Sequence, residues 1–124
     1  MKIAFATKDN IAIDDHFGRC RQFAVYEINP SDFKLYELRG VEADLKSISI
    51  DETDRIDKRI ELIKDCTILY CNDIGPMAAA RVIRQRIHPI KVLEGEPIHE
   101  ALNKLAGVLK NPPIWLRKIL ERET

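Results

Sequence analysis

The sequence predicts an α/β fold in which helices flank a five-stranded mixed sheet, within a single domain of residues 1–124. Two patterns predict it: strand, helix, strand over residues 67–93, and a hairpin over residues 23–41. The first pattern indicates parallel strands joined by a right-handed crossover, because parallel neighbours need a long connection. The second indicates an antiparallel pair, so the sheet contains both kinds of pairing.

Five short segments have the composition of buried or half-buried strands. They are residues 2–7, 23–28, 33–41, 67–71 and 90–93. The turn residues Asn29-Pro30-Ser31-Asp32 separate the second segment from the third, which favours a hairpin. This element order predicts that the first strand lies in the middle of the sheet, next to the fourth.

Helical spacing of apolar residues predicts three longer helices and a short terminal one. The predicted helices cover residues 54–63, 76–87, 97–105 and 114–120. Pro76 and Pro97 suit first turns, where the missing amide has no intrahelical partner. Thr53 or Asp54 is expected to cap the first helix, after a polar surface connection that begins at residue 42.

The composition excludes several classes of function. Twenty basic and twenty acidic residues cancel, so the net charge does not attract nucleic acid or an anionic membrane. No apolar run reaches the roughly 20 residues of a transmembrane helix. Three cysteines, an odd number, argue against a disulfide framework. These features predict a cytoplasmic protein with no membrane or nucleic-acid partner. They give no prediction of whether the protein is a monomer or an oligomer.

The side chains that are able to bind a ligand or a metal are concentrated in two predicted loops. If the first and fourth strands are neighbours, the loops that follow them emerge side by side at the carboxyl edge of the sheet. Open α/β sheets commonly bind ligands at such an edge. The two loops contain Asp15, His16, Cys20, Cys71, Asp73 and Gly75.

Four stretches carry a family resemblance over residues 1–120. They are His16-Phe17-Gly18-Arg19, Ile74-Gly75 leading into residues 78–82, residues 87–92, and residues 111–118. In this order they resemble the NifX-type dinitrogenase iron–molybdenum cofactor biosynthesis family, in particular its small stand-alone carriers. The resemblance implies a ribonuclease H-like fold. It also implies a protein that carries an iron–sulfur cluster precursor of the nitrogenase cofactor and is not an enzyme.

The resemblance also implies a site and partners. The implied cofactor-binding residues are His16, Phe17, Gly18, Arg19, Asp73 and Gly75. The cluster, or a precursor of the iron–molybdenum cofactor, would be bound transiently, and other cofactor-assembly proteins would deliver and receive it. Gly18 would let the backbone pass close to a bulky cluster. The sequence departs from the family at Pro76 and Met77, where a second glycine is common.

The candidate metal ligands are His16, Cys20 and Cys71. Imidazole and thiolate both bind iron, but these three fall short of the four ligands of a resident cluster, which suits a carrier that releases its cargo. Without the resemblance, the favoured interpretation of His16 is a surface histidine hydrogen-bonded to Asp14 or Asp15, and the resemblance reverses that preference. Cys66 is expected to be a small buried residue, and its odd separation from Cys71 predicts opposite faces of the strand.

Two alternative functions remain open at this stage. The first is a metal-dependent nuclease or phosphotransferase of ribonuclease H-like fold, with carboxylates from Asp73 and Glu61. The first strand offers no carboxylate to complete such a site. The second alternative is a regulatory module that binds a protein partner. If the terminal helix packs near the His16 loop, its Arg117 and Lys118 would offset the negative charge of a cluster.

Overall fold

A computed structural model describes residues 1–41 and 52–123 of the chain. Its strands are β1 (Lys2–Ala6), β2 (Ala12–Ile13), β3 (Gln22–Ile28), β4 (Phe33–Gly40), β5 (Ile68–Cys71), β6 (His88–Lys91) and β7 (Glu96–Pro97). Its helices are α1 (Glu52–Leu62), α2 (Pro76–Arg84), α3 (Ile98–Leu109) and α4 (Ile114–Glu123). Residues 42–51, which form most of the predicted polar connection, lie outside the described residues.

The main sheet has five strands in the order β4-β3-β1-β5-β6. The pairs β1–β5 and β5–β6 are parallel, whereas β1–β3 and β3–β4 are antiparallel. Ile3 lies opposite Ile68, and Phe5 lies opposite Tyr70. The predicted mixed sheet, and the predicted neighbourhood of its first and fourth strands, are therefore confirmed.

Helices cover both faces of this sheet. Along β1, Ala4 and Ala6 point into the apolar layer beneath α1 and α2, whereas Ile3 and Phe5 point into the layer beneath α3 and α4. Both faces are thus buried, which explains why the central strands are nearly continuous apolar runs. No helix in residues 52–123 combines the length and the apolarity needed to cross a bilayer.

Several element boundaries differ from the predicted ones. Helix α2 ends at Arg84, three residues early, because the chain leaves it through Arg86, whose φ of 64° is left-handed. Strand β6 accordingly begins at His88. Helix α1 begins at Glu52, so Thr53 and Asp54 lie in its first turn and are not its cap.

A second sheet was not predicted. It consists of β2 and β7, which pair antiparallel over two residues each, with Ala12 opposite Pro97. Strands this short leave no periodic signal in a sequence. The ribbon is extended by two backbone hydrogen bonds, from the Gly95 amide to the Ile13 carbonyl (3.0 Å) and from the Ile98 amide to the Ile11 carbonyl (2.9 Å). It fixes the loop after β1 against the start of α3.

An ion-pair network ties the edge strand β4 to the segment between α1 and β5. Arg39 donates from Nη1 and Nη2 to the two carboxylate oxygens of Asp65, at 2.6 and 2.8 Å. Its Nη1 also donates to the carbonyl of Leu62 at the end of α1 (2.7 Å), and Lys2 adds a bond to Asp65 at 3.3 Å. These bonds hold the pKa of Asp65 below its usual range, chiefly through Arg39.

We expect Asp65→Asn to lower the free energy of unfolding at pH 7 by about 1 kcal/mol, after allowance for the partial exposure of the carboxylate. Because the pKa of Asp65 is lowered in the folded protein, this contribution is complete above the ordinary aspartate pKa of about 4 and is lost as the pH falls below it. Urea unfolding from pH 7 to pH 2 measures the effect.

The matched control is Glu61→Gln, which removes an exposed carboxylate paired with Lys64 and should change stability by less than about 0.5 kcal/mol. A stability gap between the parent and Asp65→Asn that widens in acid would contradict the assignment.

Candidate functional site

The loops after β1 and β5 lie side by side at the carboxyl edge of the sheet. The Phe17 amide donates to the Asp73 carbonyl (3.0 Å), and the Asn72 amide donates to the Asp15 carbonyl (3.0 Å). These two bonds join the loop after β1 directly to the residues that follow β5. The predicted convergence of the two loops is therefore observed.

Asn72 holds this junction together, a role that the sequence analysis missed. Its Nδ2 donates to the carbonyls of Ile13 (2.9 Å) and Val92 (3.3 Å), so it connects the β1 loop, the end of β5 and the segment after β6. Its Oδ1 is buried and has no hydrogen-bond partner among the described residues. An asparagine directly after a buried strand is the signal that could have indicated a bridging residue, because its amide reaches neighbouring carbonyls.

The loop after β1 is internally braced. The buried Thr7 hydroxyl donates to the Ala12 carbonyl (2.6 Å) and accepts a bond from the Asn10 amide (3.1 Å). The Lys8 amide donates to Asp14 Oδ1 at 2.8 Å. Such local side-chain bonds replace the ladder bonds that a strand would supply. The backbone that presents the following residues is therefore fixed.

The motif His16-Phe17-Gly18-Arg19 forms a tight turn. The carbonyl of His16 accepts bonds from the amides of Arg19 (3.2 Å) and Cys20 (2.9 Å). The His16 side chain is exposed, whereas Phe17 is fully buried, with its ring centroid 5.8 Å from that of Phe23. Of the predicted binding residues, Phe17 thus anchors the turn in the core, and its ring does not face a ligand.

Arg59 connects α1 to this turn. Its side chain is buried, and its Nε donates to the Cys20 carbonyl at 3.1 Å, while its Nη1 donates to the Arg55 carbonyl at 3.0 Å. The position of α1 and the position of the His16 turn are therefore coupled. The sequence gives little sign of this contact, because an arginine on an amphipathic helix is usually solvated.

The predicted metal ligands are not assembled into one site. Cys20 and Cys71 lie fully buried in the apolar layer beneath α1 and α2, away from the solvent that His16 contacts. Burial raises the pKa of both thiols to about 12, although iron binds thiolate. Within residues 1–41 and 52–123, no group of three or more His, Cys, Asp or Glu side chains is placed to hold a metal ion.

Cys66 is buried, as predicted, and lies in the same apolar layer as Cys71. The prediction that these two side chains point to opposite faces was wrong. Alternation holds only within a strand, and β5 begins at Ile68, so Cys66 precedes it. The Cys66 amide instead closes a turn after α1 by donating to the Ile63 carbonyl (2.9 Å).

Two cavities flank the His16 turn, and Arg19 lines both. We call the first, of about 250 Å³, the Gly75 cavity; it is lined by Gly18, Arg19, Glu52, Arg55, Ile56, Gly75 and Ala78. We call the second, of about 430 Å³, the Thr7 cavity; it is lined by Thr7, Lys8, Asp15, Arg19, Arg21 and Gln22. Both lie in the loop region where open α/β sheets bind ligands.

The Gly75 cavity meets the amino-terminal end of α2. Gly75 precedes this helix and gives it no side-chain cap, and Pro76 has no amide to donate. The next amides of the first turn lack intrahelical partners, which gives this end of the helix a partial positive charge. At Gly18 and Gly75 no atom lies within 4 Å of the place that a Cβ would occupy. Both glycines therefore leave open space beside the cavity.

Unpaired cations surround the same edge. The side chains of Lys8, Arg19, Arg21 and Arg55 make no hydrogen bond or ion pair with any other part of residues 1–41 and 52–123. Arg39, by contrast, is bound to carboxylates on both sides. One carboxylate lines each cavity, Glu52 in the first and Asp15 in the second. Cations therefore outnumber carboxylates in both linings, even though the whole chain is neutral.

The terminal helix does not supply further cations to this edge. Trp115 stacks on His88, with ring centroids 4.2 Å apart, and His88 lies at the amino end of β6. The Arg117 side chain donates to the Pro112 carbonyl at 2.8 Å. The start of α4 thus packs at the opposite edge of the sheet. The cations beside the His16 turn include Lys8 and Arg55, and not the expected Arg117 and Lys118.

The carboxylates required by the nuclease alternative lie apart. Asp73 is exposed at the carboxyl edge, where its Oδ1 accepts a bond from the Ile74 amide at 2.9 Å. Glu61 pairs with Lys64 in a groove between α1 and α2 that is also lined by Arg81. These two carboxylates do not share a cavity in the described part of the chain.

The chain is similar to known proteins in sequence and in fold. A sequence profile described as "Dinitrogenase iron-molybdenum cofactor" matches residues 1–107. Protein NifX of Herbaspirillum seropedicae is 42% identical over 123 residues, which cover 98% of this chain and 83% of that protein. FeMo cofactor biosynthesis protein NifB of Bradyrhizobium diazoefficiens is 30% identical over 99 residues, which cover 80% of this chain and 20% of that protein. The crystal structure of PH0822 matches with a TM-score of 0.66 at 23% identity, covering 86% of this chain and 91% of that one, and shows the fold alone.

We expect all three cysteines to resist alkylation in the folded protein. Because burial both covers the sulfur atoms and raises the pKa of each thiol to about 12, iodoacetamide at pH 8 should react at least ~100-fold more slowly than with an exposed cysteine. Mass spectrometry of samples quenched over time measures the rates, and Ser31→Cys, in an exposed turn, provides the reference. Reaction of Cys20 or Cys71 at the reference rate would restore them as candidate ligands.

Proposed function

Because the chain belongs to the dinitrogenase iron–molybdenum cofactor family, we propose that it binds an iron–sulfur precursor of that cofactor and carries it between assembly proteins. A role in biosynthesis of the iron–molybdenum cofactor follows from the family. The identity of the cargo, and of the proteins that deliver and receive it, belongs to the proposal. The role requires binding and release only, so we propose that the protein is not an enzyme.

The observation that carries the proposal is the Gly75 cavity. The cavity combines the guanidinium groups of Arg19 and Arg55, which have no partner among the described residues, with the amino-terminal end of α2 and two glycines that leave open space. The carboxylate of Glu52, which also lines the cavity, offsets one of the two positive charges. Clusters rich in sulfide carry negative charge, which such a setting stabilises. Gly18 and Gly75 let the backbone approach a bulky inorganic group without interference from a side chain.

His16 is the proposed protein ligand to the cargo. Its imidazole is exposed at the turn that borders the cavity, and neutral imidazole is a competent iron ligand. Cys20 and Cys71 are buried, and the pKa of each thiol is raised to about 12, so neither supplies a thiolate without rearrangement of the core. A single ligand supported by charge holds the cargo weakly enough for transfer to a site with more ligands.

We further propose that the fold is ribonuclease H-like. In support, an antiparallel hairpin lies on one side of β1, and the parallel strands β5 and β6 lie on the other. This arrangement is the one that the resemblance implies. The class of fold alone says nothing about activity, so the functional proposal rests on the site.

We expect His16→Ala to weaken cargo binding at least ~10-fold while stability changes by less than about 0.5 kcal/mol, because the side chain is exposed. An anaerobic titration with isolated cluster precursor, followed by visible absorbance, measures the affinity. The control is His99→Ala, which removes an exposed histidine on α3, on the other face of the sheet. If His16→Ala and His99→Ala bind equally well, His16 is not a ligand.

A side chain that fills the Gly75 cavity should also weaken cargo binding, because it excludes the cargo from the cavity. At Gly18 a Cβ meets no atom within 4 Å, so Gly18→Leu should leave the melting temperature nearly unchanged while its side chain occupies cargo space. We expect cargo affinity to fall ~10-fold or more, a loss of about 1.4 kcal/mol. Gly107→Leu, in α3, is the matched control because its Cβ also enters open space. Undiminished binding by folded Gly18→Leu would rule out this cavity.

A further inference from the structure

The Thr7 cavity is separate from the proposed cargo site and has its own chemistry. Its walls carry three cations, Lys8, Arg19 and Arg21, and one carboxylate, Asp15. None of the three cations is neutralised by a partner in the described residues. Like charges that share one concavity repel each other, and a bound anion relieves that repulsion.

The backbone that presents these cations is already ordered. The Lys8 amide is bound by Asp14 (2.8 Å), the Arg19 amide by the His16 carbonyl (3.2 Å), and the Arg21 carbonyl by the Val41 amide (2.8 Å). An anion that enters the cavity therefore orders only the side chains. Preorganisation of this kind lowers the entropic cost of binding.

We infer that the Thr7 cavity is a second ligand site, which binds a small oxyanion through Lys8, Arg19 and Arg21. The guanidinium group presents its donors as a planar fork that matches a carboxylate or a phosphate. The volume of about 430 Å³ exceeds that of an inorganic ion and admits an organic acid or a phosphate ester. Three cations and one carboxylate leave two positive charges for the ligand to balance.

The two cavities are coupled through Arg19, because this side chain lines both. An oxyanion in the Thr7 cavity draws the Arg19 guanidinium away from the Gly75 cavity and adds negative charge beside it. Both effects lower the affinity for an anionic cargo, and by linkage the cargo lowers the affinity for the oxyanion equally. This coupling, unlike the oxyanion site itself, rests on the proposed function. It gives a carrier a means of releasing its cargo when the oxyanion is present.

Isothermal titration calorimetry of the cargo-free protein tests the site, with succinate and inorganic phosphate as probes at constant ionic strength. We expect one saturable site for at least one probe, and the stronger probe tells whether the cavity prefers carboxylate or phosphate. Arg21→Gln should weaken binding at least ~10-fold, since a charge-assisted bond is lost. Arg84→Gln, which removes an arginine that lines the groove between α1 and α2 and not the Thr7 cavity, should bind like the parent.

The inference is overturned if neither probe binds saturably, or if Arg84→Gln weakens binding as much as Arg21→Gln, which would indicate an effect of net charge alone.

The coupling is tested by titrating cluster precursor with and without the saturating probe. The probe should lower cargo affinity in the parent and not in Arg21→Gln. If cargo fails to bind at all, the proposed function fails while the oxyanion result stands. If cargo binds but neither oxyanion does, the second site fails alone.

Discussion

The parallel pairing of β1 with β5 is the constraint on which the rest of the structure depends. It joins the hairpin half of the sheet to the βαβ half, and it buries both faces of β1 under helices. It also brings the loop after each strand to the same edge, where two backbone hydrogen bonds, Phe17 to Asp73 and Asn72 to Asp15, join the loops. Without that adjacency, Arg19 and Gly75 would not border the same cavity.

The sheet was predictable because its strands are apolar runs whose order follows from their connections. The β2–β7 ribbon was not, since two residues carry no period and the partners lie more than eighty positions apart in the chain. The bridging role of Asn72 was not predictable either, because it depends on carbonyls of two distant segments. Contacts of this kind are set by tertiary structure, which local propensity does not encode.

The sequence located the candidate site but not the direction of its side chains. Gly18, Arg19 and Gly75 line the cavities at the predicted edge, and His16 is exposed in the same turn although it lines neither cavity. The edge was predictable because strand order alone determines where the loops emerge. The residue types also suggested Cys20 and Cys71, yet a thiol suits an apolar core as well as a metal. Cys71 ends β5, a strand that is buried on both faces, whereas the tight turn from His16 to Cys20 directs the Cys20 thiol into the core.

The burial of the sulfur atoms has a consequence for damage by oxygen. Oxidation of cysteine follows thiolate character and exposure, and the thiols of Cys20, Cys66 and Cys71 have neither. Iron–sulfur cargo, by contrast, would sit at the open edge of the sheet. If the protein carries such a cluster as proposed, an oxidant would destroy the cluster, whereas the buried thiols would be protected from sulfenic acid and from intermolecular disulfides. On that proposal, the empty protein would need no repair by a thiol reductase before it is loaded again.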